Sequence, residues 1–145
     1  MSTLVLGIDV GTTSTKAALF DLLDAARPLA VGRRASEVHE PQRGYSETDP
    51  VQVLTRVGEC VREITAKVDT DAICAIGISG TACGAWLVAN GEPVRPAILW
   101  NDGRAAQIVD EWSADGRMRE IFALSGNVPF PGYTLPLLKW LAVHE

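Results

Sequence analysis

The chain is poor in the side chains that most often carry nucleophilic or metal chemistry: its 145 residues include only two histidines and three cysteines. His39 and His144 are widely separated, and neither sits in a triad-like context, so a hydrolase of the Ser–His–Asp or Cys–His kind is disfavoured. Cys60, Cys74 and Cys83 are odd in number and lack metal-binding spacing, so they read as free thiols of a reducing, cytoplasmic compartment. Basic residues are also scarce. Thirteen Lys and Arg face eighteen Asp and Glu for a net charge of −5, and only Arg33 and Arg34 adjoin, so no nucleic-acid surface is expected. No apolar run reaches the length of a membrane span. Met1-Ser2-Thr3 leads directly into an apolar run without a basic region or cleavage site, so no secretory signal is expected. Internal repeats and low-complexity segments are absent as well.

What is present is a well-patterned α/β sequence. Hydrophobic residues make up 47% of the chain, enough for a packed core, and the length is that of one ordinary domain. Residues 4–10 and 15–21 read as two strands joined by a tight turn. A further turn over 21–28 leads to a third strand at 28–38, and a polar loop covers 41–49. Asp49 is placed to cap a helix beginning at Pro50. Val53, Leu54, Val57, Cys60, Val61, Ile64 and Val68 recur at three- and four-residue steps, the period of an amphipathic helix. Residues 72–79 read as a buried strand, and 85–89 as a strand turning at Asn90-Gly91. Asn101 is a candidate cap for a helix over 102–114. A rigid Pro129-Phe130-Pro131-Gly132 loop precedes a last helix holding Leu135, Leu138, Trp140 and Leu141.

The most informative stretch is Leu4–Leu19, L-V-L-G-I-D-V-G-T-T-S-T-K-A-A-L. An apolar strand ends in Asp9; Gly11 and the hydroxyl-bearing Thr12, Thr13, Ser14 and Thr15 turn the chain; Lys16 opens the next strand. Backbone N–H groups, hydroxyls and an ammonium suit phosphate oxygens, and a carboxylate at the mouth suits a hard metal ion, directly or through water. The same residues would also serve as an ordinary hairpin turn. Asp9 favours the first reading, because a carboxylate ending an apolar strand is costly without a partner. The turn is neither G-x-x-x-x-G-K-[ST] nor a G-x-G-x-x-G leading into a helix, so neither a P-loop nor a Rossmann site is indicated here.

Four segments in register resemble the FGGY carbohydrate kinases, and the xylulokinases among them in particular. They are Gly7–Lys16; Gly44-Tyr45-Ser46-Glu47-Thr48-Asp49-Pro50; Ile76–Gly80 followed by Gly84–Val88; and Arg95–Arg104, which contains Trp100-Asn101-Asp102-Gly103-Arg104. The similarity runs from about residue 4 to the end of the chain. It implies an actin-like ATPase fold with a ribonuclease-H-like core, and ATP-dependent phosphorylation of a sugar or polyol hydroxyl with Mg2+. Kinases of this family are longer, with two actin-like domains and the substrates between them, so the resemblance identifies an incomplete N-terminal domain whose catalytic base lies elsewhere.

By that resemblance, Asp9, Gly11, Thr12, Thr13, Ser14 and Lys16 bind ATP, with Asp9 supporting catalysis and holding the metal through water. Ala82, Cys83, Trp100, Asp102 and Arg104 face the sugar, with Phe130 and Tyr133 as candidate walls. Xylulokinases commonly carry Gln-Met-His where this chain has Thr81-Ala82-Cys83, and glycerol kinases carry Arg-Glu at the last two of these places. The departure points away from plain D-xylulose, toward another ketose, a polyol or a bulkier sugar. The candidate partners are a small sugar or polyol, ATP and a second copy of the chain, with neither nucleic acid nor membrane. Two alternatives stay open: a non-catalytic sugar-binding or oligomerising fragment, and another actin-like ATPase or kinase.

Overall fold

A computed structural model describes residues 4–24 and 26–145. Met1–Thr3, where the sequence shows no secretory signal pattern, and Ala25 of the expected 21–28 turn lie outside the described residues. The chain divides into two compact units, one formed by residues 1–37 and 51–81 and the other by 38–50 and 82–145.

The first unit is a four-stranded sheet with one helix on it. Strands β1 (Leu4–Val10), β2 (Ser14–Asp21), β3 (Ala30–Ala35) and β5 (Ile73–Gly80) lie in the order β3-β2-β1-β5. β1 runs antiparallel to β2, with Asp9 opposite Lys16, and parallel to β5, with Asp9 opposite Ser79. The connection from β3 to β5 passes through helix α1 (Pro50–Thr65), which starts at the proline the sequence marks. Strand alternation puts Leu4, Leu6 and Ile8 of β1 and Ala17 and Leu19 of β2 on one face, where Cys60 and Ile64 of α1 seal them into a core. Burial pushes the Cys60 thiol above its ordinary pKa. The opposite face carries Gly7 and Gly77, which have no side chain, and the small Ala18, and they leave an open hollow of about 530 Å³ with Asp9, Lys16 and Ser79 at one end.

Two expectations change here. The third strand is shorter than 28–38. The strand expected to be buried, β5, is exposed from Cys74 to Gly80, because it is an edge strand that α1 does not cover.

The second unit is built from short strands and three helices. Strand β4 (Glu47–Thr48) pairs with β8 (Ala97–Ile98), and Ala85 bridges to Ile98. Strands β6 (Val88–Ala89) and β7 (Glu92–Pro93) form the hairpin signalled by Asn90-Gly91, both with positive φ as a type I′ turn requires. Helices α2 (Ala106–Ala114), α3 (Arg117–Ser125) and α4 (Thr134–His144) follow. Ala85, Ile98, Ala105, Leu137 and Leu141 form the core, with Leu87, Ile108 and Trp140 packed around it. α2 starts four residues later than the sequence suggests, and Asn101 does not cap it. The Asp102 carboxylate instead accepts from the Arg104 N–H at 2.9 Å and shapes a separate turn before the helix.

Candidate functional site

In the first unit, the sequence places Asp9 where β1 ends, and the structure leaves its side chain half exposed with the Lys16 ammonium 3.3 Å away. The turn between them closes through the Gly11 N–H, which donates to the Ser14 carbonyl at 3.1 Å. Gly11 does not use the left-handed conformation; it is needed for space, since a Cβ there would meet the Ser14 oxygen at 3.0 Å. Ser36, just beyond β3, holds the turn from the side: its N–H donates to the Thr13 carbonyl and its hydroxyl to the Gly11 carbonyl. Thr13 is exposed at the tip, and Thr12 is half-buried with its hydroxyl 3.2 Å from that of Thr81. Ser14, also expected to bind ATP, opens β2 and is buried.

This donor set fits a magnesium nucleotide. An accessible carboxylate oxygen suits a hard cation, and hydroxyls with an ammonium suit phosphate. Among the described residues no group of three or more His, Cys, Asp or Glu could hold a metal.

In the second unit, Trp100, Asp102 and Arg104 do not act as a set. Trp100 is 46% exposed. Asp102 is sealed, and each of its oxygens is engaged. One accepts from the Arg104 backbone N–H and Nε, both at 2.9 Å; the other accepts from the Ser46 N–H at 2.6 Å and from Arg104 Nη2 at 2.9 Å. Arg104 is equally committed. It also reaches Glu47 at 2.7 Å, and its guanidinium stacks on the rings of Tyr45 and Trp140. Burial opposes the charge on Arg104, but hydrogen bonds to Asp102 and Glu47 outweigh it and hold the pKa above the ordinary arginine value. Asp102 and Arg104, expected to face the sugar, form a buried, bidentate pair that zips residues 44–47 to residues 99–104. Leu99 N–H to the Ser46 carbonyl and Gly103 N–H to the Gly44 carbonyl complete the zipper.

Ala82 is exposed and Cys83 half-buried. Cys83 and Gly84 both adopt positive φ, 63° and 77°. For cysteine this conformation is costly and is kept only where the surroundings enforce it. Here they do so through Gly84, whose N–H donates to the Gly132 carbonyl at 3.0 Å and whose carbonyl accepts from the Thr134 hydroxyl at 2.7 Å. Gly132 in turn lies directly on the Trp100 backbone, where an added Cβ would fall 1.6 Å from the Trp100 oxygen. Only glycine permits that approach. It brings the Cys83 turn, Trp100 and the loop carrying Phe130 and Tyr133 together, the two aromatic rings meeting edge to face at 5.7 Å.

Sequence reasoning passed over Glu47, which it assigned to a loop, and Arg95. Glu47 accepts from both Arg95 and Arg104 at 2.7 Å. The acidic residue was visible within Gly44–Pro50, but its partners lie about fifty residues away and leave no local signal.

The comparisons agree with this architecture. The model of the FGGY family of carbohydrate kinases, N-terminal domain, matches residues 4–145. A xylulose kinase of Staphylococcus xylosus is 32% identical over 97% of this chain and 29% of its own length. A glycerol kinase of Saccharolobus islandicus is 34% identical over 94% of this chain and 27% of its own. The crystal structure of gluconate kinase from Lactobacillus acidophilus superposes with a TM-score of 0.89 at 27% identity, over 99% of this chain and 29% of that one. The chain thus spans under a third of the length of the relatives it matches. Its mixed α/β fold is that of the actin-like ATPases, and it belongs to the FGGY family of carbohydrate kinases, matching their N-terminal domain.

Proposed function

We propose that this chain supplies the first phosphate-binding turn and part of the sugar site of a cytoplasmic kinase that transfers the γ-phosphoryl group of Mg-ATP to a hydroxyl of a sugar or polyol. The observation that carries this reading is Asp9, a half-exposed carboxylate at the end of a core strand, facing Lys16 beside an open hydroxyl turn. Mg-ATP, when bound, provides the phosphoryl group and neutralises charge that develops during transfer. Asp9 would hold the metal through its water shell, and Thr12, Thr13 and Lys16 would contact phosphate oxygens. Gly11 and Ser36 keep the turn rigid, which limits the ordering cost on binding. Trp100 would pack its indole on the C–H face of the sugar, with Ala82, Cys83 and Tyr133 bounding it. In this reading the aspartate that accepts the hydroxyl proton lies outside these residues, as the resemblance to longer two-domain kinases implies.

The substrate in this reading is a ketose other than D-xylulose, a polyol or a bulkier sugar, since Ala82 and Cys83 leave more room than Met and His. Coupled ADP release by the kinase carrying this domain, over a panel of ketoses and polyols, tests it. A preference for one of these is expected; a clear preference for D-xylulose would overturn the substrate reading, and no sugar-dependent turnover would overturn the activity.

A further inference from the structure

Ala82 and Cys83, two of the residues assigned above to the sugar, hold no hydrogen bond of their own among the described residues. Their placement is therefore decided by the backbone that flanks them. On the C-terminal side that backbone is gripped one peptide group at a time. The Gly84 N–H donates to the Gly132 carbonyl at 3.0 Å. The peptide group between Gly84 and Ala85 is held at both edges. Its N–H donates to the Ile98 carbonyl at 2.8 Å, and its carbonyl accepts from the hydroxyl of Thr134, the first residue of α4, at 2.7 Å.

Of these three contacts only that of Thr134 comes from a side chain. Gly84 is buried with φ 77°, and a Cβ there would fall 2.4 Å from the Ile98 oxygen. A residue without a Cβ turns easily, so its contacts rather than its own sterics set its orientation. Just before it, Cys83 is held at φ 63°, a conformation that persists only while the surroundings impose it. Removing the Thr134 hydroxyl would leave the Gly84 carbonyl without that donor and let residue 83 move toward an ordinary φ. Thr134 also directly follows Tyr133, whose N–H donates to the Phe130 carbonyl at 2.8 Å. One hydroxyl thus ties the Cys83 turn to the aromatic loop, the two walls assigned to the sugar.

We propose that Thr134 is a positioning residue that sets sugar specificity: its hydroxyl clamps Gly84 and so fixes where Ala82 and Cys83 meet the substrate relative to Tyr133. The proposal rests on the sugar-site reading above. Thr134 touches no substrate in it and acts through Gly84 alone.

Steady-state kinetics of the kinase carrying this domain, with D-xylulose, D-ribulose, D-fructose, glycerol and ribitol as acceptors, test the proposal. Thr134→Val keeps the shape of the side chain and removes the hydroxyl. It should raise KM for the best acceptor about tenfold, the scale of one hydrogen bond to a buried group. It should also narrow the gap in kcat/KM between that acceptor and the next. KM for Mg-ATP at saturating sugar should not change, and Thr134→Ser should restore wild-type behaviour. Should Thr134→Val not fold, Thr134→Ala carries the same expectation. Unchanged kinetics, equal rises in both KM values, or a serine variant that restores nothing would each overturn the role of Thr134. So would a fall in kcat at unchanged sugar KM, since fewer folded molecules account for that alone. A wild-type protein that phosphorylates none of these acceptors would overturn the sugar reading, and this proposal with it.

Discussion

The guanidinium of Arg104 lies 4.2 Å over the ring of Tyr45 while its Nε and Nη2 grip the two oxygens of Asp102, each at 2.9 Å. Neither charged group has solvent access, the side chains being 1% and 0% exposed. A buried pair of this kind is costly to form but more costly to break, because removing one partner strands the other.

Asp102→Asn is accordingly a stability variant. It removes half of the bidentate pair and replaces one carboxylate oxygen by a donor that faces either Arg104 or the Ser46 N–H. A loss of about 3–5 kcal/mol is expected, read as a lower midpoint in chemical denaturation. Sugar affinity of the protein that remains folded should be close to wild type. Wild-type stability together with much weaker sugar binding would return Asp102 to the substrate pocket.

Asp9→Asn should have the opposite profile. Asp9 is half exposed and contributes nothing to the core of the first unit, so the fold should survive with its melting temperature nearly unchanged. In the complete kinase, losing the charge that organises Mg-ATP should reduce turnover by several kcal/mol of transition-state stabilisation. Near-wild-type turnover with an unaltered magnesium dependence would sink the assignment.

Cys83→His combined with Ala82→Met should shift substrate preference toward D-xylulose. The backbone at residue 83 is fixed by Gly84, Gly132 and Thr134, so a new side chain has a defined origin. Discrimination from such contacts is worth roughly 1–3 kcal/mol each. The same ranking over a ketose panel before and after the change would show that specificity is set elsewhere. The double change also introduces two larger side chains, so its melting temperature should be recorded alongside.

Which features were legible follows from how local their causes are. The β1–β2 hairpin, α1 and the Asn90-Gly91 turn each announce themselves within a few residues, through alternation, a 3.6-residue period and a turn dipeptide. Helix α3 passed unnoticed because its apolar residues Met118, Ile121 and Phe122 repeat over a single turn only, and none of its residues is buried. β4 is two residues long, too short for alternation. The burial of Asp102 was hidden for a different reason. Before an apparent helix a carboxylate reads as a cap or a sugar ligand, but its partner, the Ser46 N–H, lies 56 residues away. The hydroxyl link between Thr12 and Thr81 spans 69 residues and is equally invisible. The exposure of β5 had no signature at all, because its apolar pattern is that of a strand covered on both faces.

That exposure leads to the last prediction. In register, Ile76 stands beside Leu6 and Ile78 beside Ile8, so both isoleucines extend the apolar face that α1 covers. α1 does not reach them, and they are 61% and 75% exposed. β5 is also an edge, so its apolar side chains border unpaired backbone groups. A contiguous apolar face beside an open edge favours pairing with another copy. The 145-residue chain on its own should therefore self-associate in a concentration-dependent way, and, on the proposal that the proton acceptor lies outside these residues, it should show no sugar-dependent ADP release. Ile78→Glu, alone or with Ile76→Lys, should shift the population toward monomer in sedimentation velocity without lowering helix content, because neither side chain belongs to the buried core. A wild-type chain that stays monomeric at high micromolar concentration, or an Ile78→Glu variant that associates just as strongly, would show that this face is not the sticking surface. Sugar-dependent turnover above a denatured control would mean that the base lies within these residues after all.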